Sequence, residues 1–372
     1  MKYSFSVALA LALVVTMTVA VSAEDVKLMS YDDLLVRMEN LERQVQSQAQ
    51  AQDQVPAQSV SLYSEQSSAF AVQGYSPCAC AQQPECGKLY VGYESVFVTP
   101  FQSNNTGIIA QNDPVIQHIG FDWDMEQSNR IELGYLAPTC GMGWRARYWQ
   151  FNHSSSFDVD SNNGLTQDEG AIFWASTDNG GTVLGLVDVD TAVMTQSIDV
   201  YVLDLEMQKQ ATKSFLLSGG FRYAKLGQHY LAVTDSGIAA ADMQFQGYGP
   251  TFAVEYHKPV YGRLGWYANG RSSLLFGKQS FALATDGSDK QLLIDNPAAL
   301  AGALEMQLGL QWTSRNGHFF IKSGLETQYW ANVGSPNPSA IYTDDSDDAN
   351  VDDVMNENLG FVGFTFGGGF QY

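Results

Sequence analysis

Cysteine, histidine and positive charge are all scarce in this sequence. Its 372 residues include 4 Cys and 5 His, and 19 Lys and Arg stand against 40 Asp and Glu, which gives a net charge of −21. Four Cys are too few to hold a disulfide-built fold together, although they fit an oxidising compartment. The negative charge argues against nucleic acid as a partner and against adsorption of the chain to anionic lipid surfaces.

Long hydrophobic runs are also lacking, apart from one at residues 1–23. This run begins with a positive charge at Lys2, continues as an apolar stretch and ends in the small residues Val21-Ser22-Ala23. The pattern predicts a secretory signal peptide that is removed after residue 23. Because no later run is long enough for a membrane-spanning helix, a membrane protein of this sequence must be a closed β-barrel.

Two short regions follow the predicted signal peptide. Within residues 24–50, apolar residues from Leu34 to Val45 are spaced four, three and four residues apart, which predicts a periplasmic helix. This apolar stripe covers only about two heptads. It fits either a coiled coil that joins copies of the chain or a lone amphipathic helix packed on another surface. Residues 51–86 are rich in Gln, Ala and Ser and predict a flexible linker that ends in the cysteine cluster CACAQQPEC.

From Gly87 onward, residues alternate between apolar and polar in segments of strand length. About ten segments are present, with eight to twelve compatible with the pattern, and each suits a tilted membrane strand of roughly 9–11 residues. The segments are Leu89–Val98, Asn129–Ala137, Gly143–Asn152, Ile198–Gln210, Phe215–Leu226, Gln244–His257, Arg263–Lys278, Ala303–Thr313, Phe319–Ala331 and Leu359–Tyr372. Residues 87–372 are therefore predicted to form an all-β, up-and-down transmembrane β-barrel of about ten antiparallel strands.

The connections between these segments alternate in length. Short turns such as SRNG join every second pair of segments, and long links join the others. The long links cover residues 99–128, 153–197, 227–243, 279–302 and 332–358. Outer-membrane barrels have short periplasmic turns and long external loops, so we expect an outer-membrane location with the long links outside and both termini in the periplasm.

One face of each segment is apolar and is predicted to contact outer-membrane lipid. In the closing segment, aromatic side chains from Phe364 to Tyr372 share this face, and such an ending resembles the signal that the barrel-assembly machinery reads. Aromatic residues also gather at the strand ends, as in the two girdles of a membrane barrel. The short-turn ends carry Tyr135, Trp144, Phe215, Tyr256, Trp266, Trp312 and Tyr372, and the long-loop ends carry Phe97, Phe151, Phe276 and Tyr329. Pro250 interrupts one segment and predicts a β-bulge there.

The opposite, polar face of the segments carries charges of both signs. The residues predicted to line the lumen are Glu94, Arg130, Glu132, Arg145, Arg147, Asp204, Glu206, Arg222, Glu255, Arg271, Glu305, Lys322 and Glu326. They fit two interpretations: an aqueous path lined by charge, or ion pairs that cross a narrow interior and close it. Side chains fill a barrel of about eight strands, so the physics of a ten-stranded barrel favours a narrow or gated conduit.

Several segments also resemble those of a known family. The stretches GWRARYWQF, GGFRYAKLG, GYGPTFAVEYHKP, NGRSSLLFG and GLETQYW follow one another in this order. In that order they resemble the pore-forming outer-membrane family typified by the Legionella major outer membrane protein. The resemblance covers residues 87–372 and implies an outer-membrane, porin-like barrel. It implies nothing about the amino-terminal helix or the acidic loops.

The residues that would carry other chemistry form weaker patterns. Some ten-stranded outer-membrane barrels are proteases with Asp and His at the outer rim, where His153 with Asp158, or His229 with Asp235, would stand. No H-E-x-x-H or G-x-S-x-G motif accompanies them, so we predict no catalytic residues, no cofactor and no metal site. The acidic run YTDDSDDANVDDVMNEN is either a solvated loop or a collector of divalent cations.

Two of the cysteines are predicted to stand at the same end of the barrel. Cys140 falls in the short turn between the second and third segments, and Cys86 falls just before the first. Four Cys allow three pairings, and the predicted topology favours a bridge between Cys86 and Cys140. Cys78 and Cys80 lie farther out on the linker.

The function predicted from these features is passive diffusion of small solutes or ions through an outer-membrane barrel. The first alternative is a structural or adhesive outer-membrane protein with a closed lumen. A barrel hydrolase is the second and has less support. Homo-oligomers would form through the amino-terminal helix.

Overall fold

The computed structural model describes residues 87–112, 115–138, 141–160, 170–176, 182–285, 291–338 and 352–372. Within these ranges the chain forms fourteen strands and one short helix. They are β1 (Lys88–Gln102), β2 (Thr106–Asn112), β3 (Val115–Gly120), β4 (Glu126–Leu136), β5 (Gly143–Val159), β6 (Gly170–Ser176), β7 (Thr182–Val189), β8 (Ala192–Gln210), β9 (Phe215–Thr234), β10 (Gly237–Tyr261), β11 (Leu264–Thr285), β12 (Gln291–Thr313), β13 (Phe319–Ala331), α1 (Asp352–Asn356) and β14 (Leu359–Gln371). The predicted signal peptide, helix and linker, Cys86, Cys140 and most of the acidic run lie outside the described residues. No helix in the described ranges is long and apolar enough to cross a membrane.

Ten of the strands close into one antiparallel barrel. Their order is β1-β14-β13-β12-β11-β10-β9-β8-β5-β4. β1 closes the sheet by pairing with β14 on one edge and β4 on the other, so the barrel has no unpaired edge. Each barrel strand overlaps one predicted segment, and the prediction of an all-β barrel of about ten strands is confirmed. We call the end with the turns at 211–214, 262–263 and 314–318 the short-turn end, and the opposite end the long-loop end.

Two links that were predicted as long loops are largely strand. β9 and β10 continue through residues 227–243 to a tight turn, and β11 and β12 continue through much of 279–302. They continue because the alternation persists, and most inward side chains there are buried, including the apolar Ala239 on β10 and Phe281 on β11. The prediction ended these strands too early because it was matched to the length of a membrane strand, and the barrel extends beyond that length.

The links 99–128 and 153–197 contain a second sheet that the sequence pattern did not predict. Its order is β3-β2-β6-β7. Ile108, Ile172 and Trp174 are fully buried in it. The prediction missed these strands because six to eight residues give too few alternations to stand out from a loop.

The outer face of the barrel is apolar, with one correction to the predicted girdles. Leu308 and Phe364 are 52% and 42% exposed, as expected for side chains that contact lipid. Phe151, however, is 1% exposed, and its ring centroid lies 4.9 Å from that of Phe361 inside the barrel. Placing Phe151 in the outer girdle was wrong, because it lies an even number of residues from Arg145 and therefore faces the same, inner side.

The β-bulge predicted at Pro250 does not form. The residues on both sides of Pro250 keep one register with β11, and the shift in this strand pair lies between Pro259 and Tyr261. The ladder stays regular because Gly249 has no side chain. A Cβ there would lie 1.9 Å from the carbonyl oxygen of Leu274, so only glycine permits this close approach of β11.

The barrel interior contains two layers. Toward the short-turn end lies a charged layer, formed by the ionisable side chains that the strands direct inward. Toward the long-loop end lies an apolar layer, whose members include Trp149, Phe151, Val200, Val202, Phe245, Leu275, Trp330 and Phe361. The charged layer is the part of the interior that can interact with a polar solute.

Candidate functional site

The charged layer consists of the thirteen side chains that were predicted to line the lumen. Seven are carboxylates and six are cations, and all of them face the barrel interior. Ten are buried, namely Glu94, Arg130, Arg145, Arg147, Asp204, Glu206, Arg222, Arg271, Glu305 and Glu326. Glu132, Glu255 and Lys322 are more accessible, with 21%, 25% and 16% of their side-chain surface exposed. Strand alternation places them all inside, because each occupies an inward position of its strand.

Asp204 on β8 stands at the centre of one part of the charged layer. Its carboxylate accepts hydrogen bonds from Arg222 at 2.6 and 2.9 Å, from Arg147 at 3.2 Å and from Arg271 at 2.7 Å. Glu305 on β12 pairs with two of these guanidinium groups, those of Arg147 and Arg222. Three arginines from different strands therefore share two carboxylates across the lumen.

Arg145 on β5 links a second group of carboxylates nearer the short-turn end. It contacts Glu206 at 2.6 Å, Glu255 at hydrogen-bond distance and Glu132 at 3.6 Å. It also donates a hydrogen bond of 2.8 Å to the Ser218 hydroxyl. The two more exposed carboxylates of the layer are thus held by the same guanidinium group.

Arg130 on β4 organises the third group. Its Nη1 donates hydrogen bonds of 2.8 Å to Glu94 and to Glu326, and Lys322 pairs with Glu94 from the opposite side. Gln307 donates to Glu326 at 2.7 Å. These residues come from β1, β4, β12 and β13, so the group bridges the closure of the barrel.

Two arginines also contact the apolar layer. The guanidinium carbon of Arg130 lies 5.8 Å from the ring centroid of Trp149, and that of Arg222 lies 5.7 Å from that of Trp330. Both are cation–π distances. The tryptophans therefore form the boundary at which the charged layer ends and the apolar layer begins.

Burying so many charges is tolerable only because they are paired. Removing ions from water costs several kcal/mol for each ion, and good pairing geometry offsets this cost. A few polar atoms have no partner among the described groups, including Arg130 Nε and Arg222 Nη1. Water satisfies such groups in protein interiors, so the charged layer is expected to be hydrated.

The free space inside the charged layer is small. A cavity of about 60 Å³ is lined by the side chains of the layer, and a second of about 20 Å³ lies beside Tyr90 and Phe320 toward the short-turn end. Each holds a few water molecules at most, since a single water needs roughly 10–15 Å³ by this measure. In this conformation the two cavities therefore leave room for only a few water molecules.

Residues 333–338 enter the long-loop end of the barrel and are buried there. We call them the plug segment. Hydrogen bonds in both directions hold it to the surrounding strands and loops. It accepts bonds from Gln228 Nε2 at the Gly334 oxygen (2.7 Å) and from Trp174 Nε1 at the Pro336 oxygen (3.0 Å), and Asn337 Nδ2 donates to the Asn104 oxygen (2.9 Å).

The plug segment was not predicted from the sequence. It lies in a link predicted as a loop, and its Gly and Pro content signals a turn without showing where the turn lies. Gly334 is required there, because its φ is +77° and a Cβ would lie 2.6 Å from Met243 Cε.

The histidine pairs considered for a hydrolase are not assembled. His153 and Asp158 occupy opposite faces of β5, being an odd number of residues apart. His229 Nδ1 contacts Asp242, whereas Asp235 accepts hydrogen bonds from backbone N–H groups. No group of three His, Cys, Asp or Glu in the described ranges is arranged to hold a metal ion.

Several solved structures are similar to the barrel at very low identity. The outer membrane protease OmpT from Escherichia coli is 8% identical, with 78% of this chain and 97% of that chain covered and a TM-score of 0.41. The Pseudomonas putida toluene transporter TodX is 10% identical, with 78% and 90% covered and a TM-score of 0.29. With TM-scores below 0.5, neither likeness supports an inference about this chain.

The family of this chain is shown by its sequence. No curated protein matches the chain. The family model described as Legionella pneumophila major outer membrane protein precursor matches residues 83–372, a range that includes every described strand. This agrees with the resemblance seen in the strand segments and with the closed barrel of ten strands. The chain belongs to the family of the Legionella pneumophila major outer membrane protein, a family of outer-membrane proteins.

Proposed function

We propose that this barrel lets small solutes or ions diffuse passively across the outer membrane through a lumen that opens at the plug segment. The observation that carries the proposal is the charged layer. Thirteen ionisable side chains of both signs line the interior around a small polar cavity, whereas the layer toward the long-loop end is apolar. Buried ion pairs are often no more stabilising than apolar residues of similar volume, so stability alone does not account for them. A hydrated passage for ions or small solutes would account for these buried charges, because charged side chains line such passages.

The charged layer is better suited to the weak, non-selective passage of solutes than to tight binding of one solute. Seven carboxylates and six cations leave the layer close to neutral, although the whole chain carries −21. The most accessible charges lie nearest the short-turn end, at Glu132, Glu255 and Lys322. A solute that enters there meets exposed groups of both signs before it reaches the tightly paired arginines.

Conduction requires the long-loop end to open, because the apolar layer and the plug segment obstruct it. An apolar constriction stops ions by excluding water, and widening it slightly restores conduction. The plug segment is suited to move, because hydrogen bonds of about 1 kcal/mol each hold it in place. Opening therefore involves displacing the segment and rearranging side chains of the apolar and charged layers, while the barrel wall stays intact.

A structural or adhesive role with a permanently closed lumen is the second candidate. The small cavity of about 60 Å³ favours it, as does the continuous apolar layer above. Recording single-channel currents of the purified full-length protein in a planar bilayer separates the two. Discrete openings support the diffusion channel. A folded, heat-modifiable protein that gives no current at any voltage supports the structural role.

We predict that the exposed carboxylates influence ion selectivity. Changing Glu132 and Glu255 to Gln leaves five carboxylates against six cations, so the reversal potential in a KCl gradient should shift toward anion preference. Arg145 retains Glu206 at 2.6 Å, so the barrel should still fold. Asp295→Asn on the exposed surface serves as the control. An unchanged reversal potential in the double variant would show that the ions do not pass these side chains.

We also predict that the long-loop end faces outside. Protease added to intact cells should cut within 153–197 or 332–358 and spare 31–86, because outer-membrane barrels place short turns in the periplasm. Fragments are identified by mass spectrometry, and permeabilised cells provide the control in which both regions are accessible. Cleavage of 31–86 on intact cells would show the reverse orientation.

A further inference from the structure

Three polar side chains form an outward-facing row on the barrel wall, on the long-loop side of the lipid-facing residues of these strands. Lys225 on β9 stands opposite Gln246 on β10, which stands opposite Lys278 on β11. All three are exposed. Because paired strands lie about 4.8 Å apart, the two lysine Cα atoms are roughly 10 Å apart with the amide between them. We call this row the lysine patch.

The outward row just below the lysine patch is aromatic. Two positions nearer the short-turn end on the same strands, Tyr223, Tyr248 and Phe276 stand opposite one another and are 39%, 68% and 52% exposed. Aromatic side chains in such a row mark the boundary between acyl chains and headgroups. The lysine patch therefore stands at the headgroup level of the leaflet at the long-loop end.

The lysine patch is an exception in the charge distribution of the outer surface. Every other exposed Lys or Arg in the described ranges lies at the short-turn end, namely Lys88, Lys209, Lys213, Lys258, Arg263 and Arg315. Within those ranges neither Lys225 nor Lys278 has a carboxylate partner. The net charge of −21 makes the whole chain repel anionic surfaces. Two neighbouring unpaired cations oppose that repulsion at one place, beside the outward-facing Asp199, which stands opposite Gly227 on β9.

We propose that the lysine patch binds the phosphate groups of an anionic lipid in the leaflet at the long-loop end. Two ammonium groups with three donors each flank the amide of Gln246, and together they can surround phosphate oxygens from both sides. The aromatic row beneath packs against the upper part of the acyl chains. A lipid fits better than free phosphate, because exposed lysines bind a small ion weakly while the membrane holds the headgroup in place. The proposal rests on the proposed placement of the barrel in the membrane, but not on conduction through the lumen.

The test uses purified full-length protein in dodecyl maltoside micelles, titrated with bisphosphorylated lipid A and measured by native mass spectrometry. Changing Lys225 and Lys278 to Gln should weaken binding about thirtyfold, the effect of two lysines near an anionic surface. Changing Lys209 and Lys258 to Gln removes the same charge at the short-turn end and should leave the affinity unchanged. Changing Lys225 and Lys278 to Arg keeps the charge and should preserve binding.

Three results would overturn the proposal. Equal weakening in the two Gln variants would reveal a general charge effect. Equal binding of dephosphorylated lipid A would exclude phosphate recognition, and displacement of the lipid by millimolar inorganic phosphate would point to a simple anion site. Each variant is first checked for the heat-dependent gel shift of a folded barrel. Conductance is recorded on the same samples and should not change, so this test is independent of the proposed channel.

Discussion

Changing Arg222 to Met should lower the free energy of unfolding by about 3–5 kcal/mol. The guanidinium group of Arg222 is fully buried and pairs with both Asp204 and Glu305. Its loss leaves two carboxylates without one of their partners inside the barrel, which costs far more than the packing that methionine restores. Denaturant unfolding of the purified protein in micelles, followed by tryptophan fluorescence, measures the change.

Two further variants establish the cause of this effect. Arg263 is exposed in a turn at the short-turn end, so Arg263→Met should change stability by less than about 0.5 kcal/mol. Arg222→Lys keeps the charge but cannot bridge two carboxylates with a planar group, so it should fall between the wild type and Arg222→Met. If Arg222→Met unfolds at the wild-type denaturant concentration, the charged layer is not held by these pairs.

Releasing the plug segment should have the largest effect on conduction. Changing Gln228 to Ala, Trp174 to Phe and Asn337 to Ala removes three of the side-chain hydrogen bonds that hold the segment. At about 1 kcal/mol each, their loss favours the open state by about 3 kcal/mol, or roughly a hundredfold in the ratio of open to closed channels. Single-channel recording should show a higher open probability with the same current per opening.

A matched substitution tests whether the plug segment itself is responsible. Gln244 is exposed on the outer face of β10, the strand that pairs with β9, on which Gln228 lies. Gln244→Ala therefore removes a nearby glutamine that does not contact the plug segment. Its open probability should equal that of the wild type. If the triple variant folds, conducts and opens no more often than the wild type, the segment is not the gate. If neither protein conducts, the structural role is the better description.

The sequence predicted the barrel and the inward direction of its charges because both depend on a period of two. Strand alternation determines the side of each residue, so one correct position on a strand places all the others. This is why Arg145 and Asp204 were placed inside correctly, and why the same rule shows that Phe151 faces inward. The Pro250 prediction failed because a bulge depends on the neighbouring strand, where Gly249 leaves room for a regular ladder.

The ion-pair partner of each charged side chain in the lumen could not be predicted from the sequence. Arg130 pairs with Glu326 and Arg147 with Glu305, residues 196 and 158 positions apart. Alternation shows that each side chain points inward, but not which other inward side chain stands across the barrel. That depends on the stagger with which ten strands close, which the pairing of β1 with β14 decides.

What the sequence determined by itself, therefore, is the class of fold, an approximate number of barrel strands and the two faces of the wall. Those are local properties, carried by alternation and by the spacing of turns. Only the tertiary structure decided that the charges pair, that the space between them is about 60 Å³ and that residues 333–338 lie in the mouth of the barrel. These features arise from contacts between distant segments, and their geometry exists only after the barrel has closed.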